Sequence, residues 1–153
     1  MRVTLNTDYS LRVLMFLATK QGRLSTISEI AESYGISRAH LMKVVHQLGL
    51  FGYISTTRGK NGGIALLHKP SEIKIGDVVR HTEEGLAILG CFDDPSYCVI
   101  AKACRLRGVF REATAAFLAV LDKYSLEDLM RPRTALANLL GIPQTAKVAA
   151  KVS

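Results

Sequence analysis

No apolar run among the 153 residues approaches the ~20 that a helix needs to span a bilayer. The N-terminal Met1-Arg2-Val3-Thr4 lacks the apolar stretch and small-residue cleavage site of a secretory signal. A cytoplasmic protein without a membrane partner is the expectation. No convergent acid–base pair or nucleophile motif stands out, so the chain is not expected to be an enzyme. Its most glycine-rich stretch, Gly59-Lys60-Asn61-Gly62-Gly63, lacks the Gly-Lys-Ser/Thr ending of a phosphate-cradling P-loop. Cysteine is scarce, with three residues. An odd count does not suit a secreted disulfide framework. Clustered thiols in a reducing cytoplasm more often bind metal or do redox chemistry.

Acidic residues are scarce in one half only. Residues 1–70 carry nine Lys/Arg against three Asp/Glu, a net of +6, whereas residues 71–153 carry eleven against ten, a net of +1. A polyanion would be drawn to the first half, and nucleic acid is the usual one.

The pattern of that half agrees. Thr7 is positioned to cap a helix from about Asp8 to Lys20, with Leu11, Leu14, Met15 and Ala18 at helical spacing. Residues 25–48 read as helix, tight turn, helix. Small Ala31 permits close helix approach, Gly35 supplies a left-handed turn, and Ser37 caps the second helix. Leu41, Val44, Val45 and Leu48 point inward. Ser37, Arg38, His40 and Lys43 are left on the polar face, as in a helix-turn-helix whose second helix enters the major groove. Arg suits guanine, and Lys and Ser suit phosphates or base edges.

Gly49 and Gly52 end that helix. Tyr53 to Arg58 reads as a strand, residues 59–63 as a turn with an Asn-Gly signal, and Ile64 to Leu67 as the returning strand. A hairpin directly after a helix-turn-helix is a wing. Arg58, Lys60 and Asn61 fall at its tip, placed for a minor groove or phosphates.

Residues 71–80 read as a turn leading into a short helix. Thr82 to about Ala101 has no clear period and contains Gly85, Gly90 and Pro95. From Cys104 a long helix is expected, with Leu106, Phe110, Ala113, Phe117, Val120 and Tyr124 spaced 4, 3, 4, 3, 4. That heptad-like seam suits a second copy of the helix, and a palindrome-reading regulator needs a dimer. Ser125-Leu126-Glu127-Asp128 approximates a capping box. The stretch after about Ile142-Pro143 reads as a frayed tail.

The expected fold is mainly α with a small β-hairpin wing: a winged helix-turn-helix domain plus a long dimerisation helix. The winged domain takes residues 1–80 and a cysteine-bearing loop 81–105. A dimerisation helix and a short following helix take 104–131, and a C-terminal segment and tail take 132–153.

Cys91, Cys98 and Cys104 lie within fourteen residues, separated by six and then five. Thiolates suit iron–sulfur clusters and zinc alike. Three leave one position for a weaker or exchangeable ligand, as a sensor requires. Zinc with His81 or His68 as fourth ligand is the second reading, though the short paired spacings of zinc sites are missing.

The chain resembles the Rrf2 family of bacterial winged-helix regulators. The resemblance is carried by Thr7-Asp8-Tyr9-Ser10-Leu11-Arg12, the Ile30-to-Leu48 helix-turn-helix, the Arg58-to-Gly63 wing, Ile75-Gly76-Asp77-Val78-Val79-Arg80 and the three-cysteine loop, roughly residues 1–130. It implies a repressor of promoter DNA whose cysteines hold a [4Fe-4S] cluster, or a [2Fe-2S] one. One branch of the family carries a histidine three residues after the last cysteine, where this chain has Arg107. The segments around Asp8 and the wing look like the nitric-oxide-sensing branch, in which an N-terminal acid of the partner subunit can complete the cluster. Asp8 occupies that position. The wide first cysteine gap is similar to iron-sensing members, so iron status is the alternative signal.

Overall fold

A computed structural model describes residues 3–83, 85, 92, 94, 96 and 98–143. Helix α1 (Leu5–Thr19) is followed by α2 (Ile27–Tyr34) and α3 (Arg38–Leu50). Strands β1 (Ile54–Thr57) and β2 (Gly63–Leu66) form an antiparallel hairpin in which Ile54 faces Leu66 and Thr57 faces Gly63. A short 3-10 turn (Pro70–Glu72) leads to α4 (Ile75–Thr82). Then come α5 (Arg105–Leu121), α6 (Leu126–Leu129) and α7 (Arg133–Leu139). This is the expected helical fold with a two-stranded wing.

Helix α1 lies at the centre and packs against α3, α4, β2, α6 and α7. Its burial is correspondingly wide, with Val13, Leu14, Phe16, Leu17 and Ala18 all inside. A helix covered on most sides needs apolar residues beyond a single stripe. The stripe read from the sequence caught Leu14 and Ala18 but omitted Val13, Phe16 and Leu17. Ile30, Leu41, Leu48, Ile54, Ile64 and Val78 complete the same core.

The start of α1 differs from expectation. Thr4 is the N-cap, and its hydroxyl accepts from the Thr7 amide at 3.3 Å. Thr7 is fully buried inside the first turn, with its hydroxyl 2.8 Å from that of Thr82. Both threonines are good capping residues, and the choice between them is made by a partner at the far end of α4. Asp8 remains in the first turn, where its charge suits the helix dipole.

The helix-turn-helix forms as read. Gly35 sits at φ 64°, and the amide of Ile36 donates back to the Ala31 carbonyl at 3.0 Å, closing α2. Thr26 and Glu29 form a complete capping box at its start. Helix α3 continues through Gly49, and it is Gly52, at φ 77°, that turns the chain into the wing. The wing is braced at a point that no local pattern marks. Ser25 bridges Ile64 by two backbone bonds of 2.8 and 3.0 Å.

The C-terminal elements join the core rather than trailing from it. Leu126, Met130, Ala137 and Ile142 are buried in the same cluster as α1. Ser125 and Asp128 make a full capping box. Helix α7, which the sequence did not reveal, is tied down by Arg133 donating to the Ala18 carbonyl at 3.1 Å and Ser33 donating to the Leu140 carbonyl at 3.0 Å. The expected tail beyond Pro143 lies outside the described residues. No helix among the described residues is long and apolar enough to cross a membrane.

Candidate nucleic-acid interface and thiolate segment

Ser37 begins α3 as its N-cap, accepting from the His40 amide at 3.2 Å. Its hydroxyl therefore first serves the helix end. Leu41, Val44, Val45 and Leu48 hold the other face of α3 in the core. Arg38, His40 and Lys43 are left exposed on its first two turns, as their spacing predicts. The His40 ring lies 6.2 Å from that of Tyr9 on α1, a neighbour the sequence did not indicate. Arg58, Lys60 and Asn61 are exposed at the wing tip, around a turn closed by the Gly62 amide on the Gly59 carbonyl at 2.9 Å. Gly62 is required there, because a Cβ would overlap the Thr57 carbonyl oxygen. The two basic groups thus sit on separate elements, a helix and a hairpin, each anchored to the shared core.

Cys91 lies outside the described residues. Cys98 is exposed and free, and Cys104 is free and half-buried. Two turns connect them, with the Ala101 amide on the Cys98 carbonyl and the Ala103 amide on the Ile100 carbonyl, both at 3.0 Å. Cys104 is the N-cap of α5, yet its side chain makes no capping bond. Within this helix's first turn Arg107 buries its Nε without a hydrogen-bond partner among the described residues. One exposed and one half-buried thiol, with Arg107 three residues after the second, are a donor set whose chemistry fits a sulfur-ligated, anionic metal group.

Asp8 pairs with Arg12 on the next turn of α1 at 2.9 Å. Among the described residues no three His, Cys, Asp or Glu side chains of one chain converge as a metal site. His81 is instead engaged at the wing root. Its Nδ1 lies 2.8 Å from the Tyr53 hydroxyl, and its ring stacks on Phe51 at 5.1 Å. Burial pushes the Tyr53 phenol up to about 12, so it stays protonated and suits a donor role. His68 lines the same cavity of about 260 Å³.

The outer end of the molecule is α5. None of its residues is buried, and Leu106, Val109 and Val120 are each at least half exposed. Among the described residues its C-terminal end is tied to the rest of the fold by named bonds. Arg80 of α4 makes two bonds of 2.7 Å to the Asp122 carboxylate just past α5. The guanidinium holds the Asp122 carboxyl below its usual range.

The family model described as the iron-dependent transcriptional regulator Rrf2 matches residues 3–132. The chain belongs to the Rrf2 family of transcriptional regulators. It is 51% identical over 142 residues to the helix-turn-helix transcriptional regulator NsrR of Bacillus subtilis, covering 92% of this chain and 97% of that one. It is 49% identical to the regulator of the same name from Geobacillus kaustophilus, again over 142 residues, 92% of this chain and 97% of the relative. Among solved structures it resembles CymR, the global cysteine regulator of B. subtilis. The TM-score is 0.68 at 28% identity, covering 84% of this chain and 95% of that one. These relatives agree with a winged-helix regulator, and their names describe transcriptional regulators rather than enzymes.

Proposed function

We propose that the chain is a homodimeric DNA-binding repressor that senses nitric oxide through an iron–sulfur cluster held by Cys91, Cys98 and Cys104. The observation that carries this reading is the identity of about half, over nearly the whole chain, with regulators named NsrR. The exposed basic faces of α3 and the wing support double-stranded promoter DNA as the partner. Arg38, His40 and Lys43 would read or flank the major groove with Ser37. Arg58, Lys60 and Asn61 would hold phosphates or a minor groove. The seam of α5 supports the dimer: none of its helical residues is buried, Leu106 and Val120 are exposed on it with Val109 beside it, and a lone helix exposing them gains stability by pairing.

When bound, the cluster would supply iron able to take up nitric oxide at the position the three thiolates leave open. A [4Fe-4S] form is favoured and a [2Fe-2S] form is the variant. Cys104 would anchor it at the start of α5, and Arg107 would offer its free donor. The partner subunit's Asp8 would be the fourth ligand. Loss of the thiolate attachment would release the segment between α4 and α5 and weaken DNA binding.

Iron status is the second reading, favoured by the iron-dependent description of the family. The two separate in one experiment on anaerobically prepared protein bound to an operator duplex. Nitric oxide at a few equivalents should release the DNA. Binding that survives nitric oxide but falls on iron chelation would replace the first reading with the second. A colourless protein with stoichiometric zinc would overturn both.

A further inference from the structure

The last turn of α4 carries three consecutive residues that each bond a different element. Thr82 meets Thr7 of α1 through hydroxyls 2.8 Å apart. His81 meets Tyr53 at the root of the wing at 2.8 Å. Arg80 reaches the other way, to Asp122 at the end of α5, through two bonds of 2.7 Å, with a further contact of 3.2 Å to Asp77. With Val78, Val79 and Thr82 buried, α4 is part of the winged domain's body. Arg80 is therefore an arm of that body holding α5.

The seat of this contact is shaped for it. Gly76 lies one helical turn before Arg80, and a Cβ there would overlap the Asp122 Oδ1. Two backbone bonds flank the seat, from the Ile75 amide to the Tyr124 carbonyl at 3.0 Å and from the Leu126 amide to the Ile73 carbonyl at 2.8 Å. The backbone bonds fix where the chain re-enters the winged domain. The fork of Arg80 adds to the packing of α4 on α5 and of Leu121 on the core, and a bidentate guanidinium–carboxylate pair fixes orientation as well as distance.

We propose that the Arg80–Asp122 pair, seated on Gly76, is the positioning contact that sets the angle between α5 and the winged domain, and thereby the spacing of DNA half-sites that the dimer accepts. This rests on the dimeric repressor reading. In such a dimer the two recognition helices are placed by the paired α5 helices, so a change of angle at each root moves both. Half-site spacing is the geometric readout of that placement. The pair is partly exposed, 37% and 42% by side chain, and solvent-screened pairs contribute little to stability. Its contribution is direction.

The test uses a duplex selected from a random pool by the wild-type protein, and the same duplex with one base pair inserted between its half-sites. Wild type should bind the inserted duplex at least about tenfold more weakly, since dimer geometry fixes half-site separation. Arg80→Gln, Asp122→Asn, the double variant and Gly76→Ala should reduce that penalty to about threefold or less, with native-like circular dichroism. The two single changes should not add, as expected for partners in one contact. Arg80→Lys keeps the charge but loses the fork, and should flatten the penalty as well. Sedimentation is run alongside. A monomeric wild type would sink the dimer reading and this proposal with it. A dimeric wild type whose folded variants keep the full penalty overturns this proposal alone.

Discussion

Replacing Asp8 by Ala distinguishes a metal ligand from a helix-stabilising charge. The structural contribution of Asp8 is small. Its ion pair with Arg12 spans one helical turn, and the two side chains are 40% and 42% exposed. Such a pair contributes about 0.3–0.5 kcal/mol. A carboxylate in the first turn adds about 0.3–1 kcal/mol through the helix dipole. The substitution should therefore cost at most about 1.5 kcal/mol. At about 2–4 °C per kcal/mol for a chain of this size, the apo protein should melt no more than about 6 °C below wild type. If the partner subunit's Asp8 completes the cluster, the anaerobic holoprotein should instead change strongly. Its visible absorbance should shift and fade faster, and less nitric oxide should be needed to release DNA. Arg12→Ala is the control, because it breaks the same ion pair and leaves the carboxylate. Loss of the pair alone should lower the melting temperature by at most about 2 °C, less than the limit for Asp8→Ala, and should leave the cluster spectrum alone. Asp8→Ala protein with an unaltered spectrum and nitric-oxide response would refute the ligand role. Equal loss of cluster in both variants would assign the effect to the pair.

Thr7→Asp tests the start of α1. A capping Thr replaced by Asp would be nearly neutral. At the buried position the carboxylate faces Thr82 without a cation, so about 3 kcal/mol or more of destabilisation is expected, and a melting temperature within 2 °C of wild type would show Thr7 to be a cap. Tyr53→Phe removes one hydroxyl while keeping the ring in place. It should cost about 1 kcal/mol in chemical denaturation, and no measurable loss would mean that the His81 contact carries no energy. Arg38→Ala should weaken operator binding about 10–100-fold and relax preference at one base pair. Lys60→Ala should weaken all sequences alike and lower the salt slope by about one, and interchanged behaviours would reverse the assignment of base and phosphate contacts.

What could be read from the residues divides by distance along the chain. Gly35, Ser37, the Asn61-Gly62 turn and the core face of α3 are signals complete within eight residues or fewer, and each forms as its local chemistry dictates. The recognition helix and wing are built from such signals, which is why the exposed basic residues were legible. The failures all involve a distant partner. Thr4 and Thr7 look alike as caps until Thr82, 75 residues on, takes the second into the interior. Ser25 has no strand character of its own and becomes one rung beside Ile64 only when the wing folds back. Helix α7 spans seven residues, too short for a period to declare itself, and is held by the Ala18 carbonyl. Arg80 and Asp122 are 42 residues apart, and neither sits in a motif that names the other. The parts expected to touch DNA are thus encoded largely locally, while the contacts proposed to orient them are not. Under the proposed repressor reading, orientation has to change without unfolding of the reading head. Non-local contacts on the rim of the core permit that, because altering Arg80–Asp122 leaves α3 and the wing with every local bond that forms them.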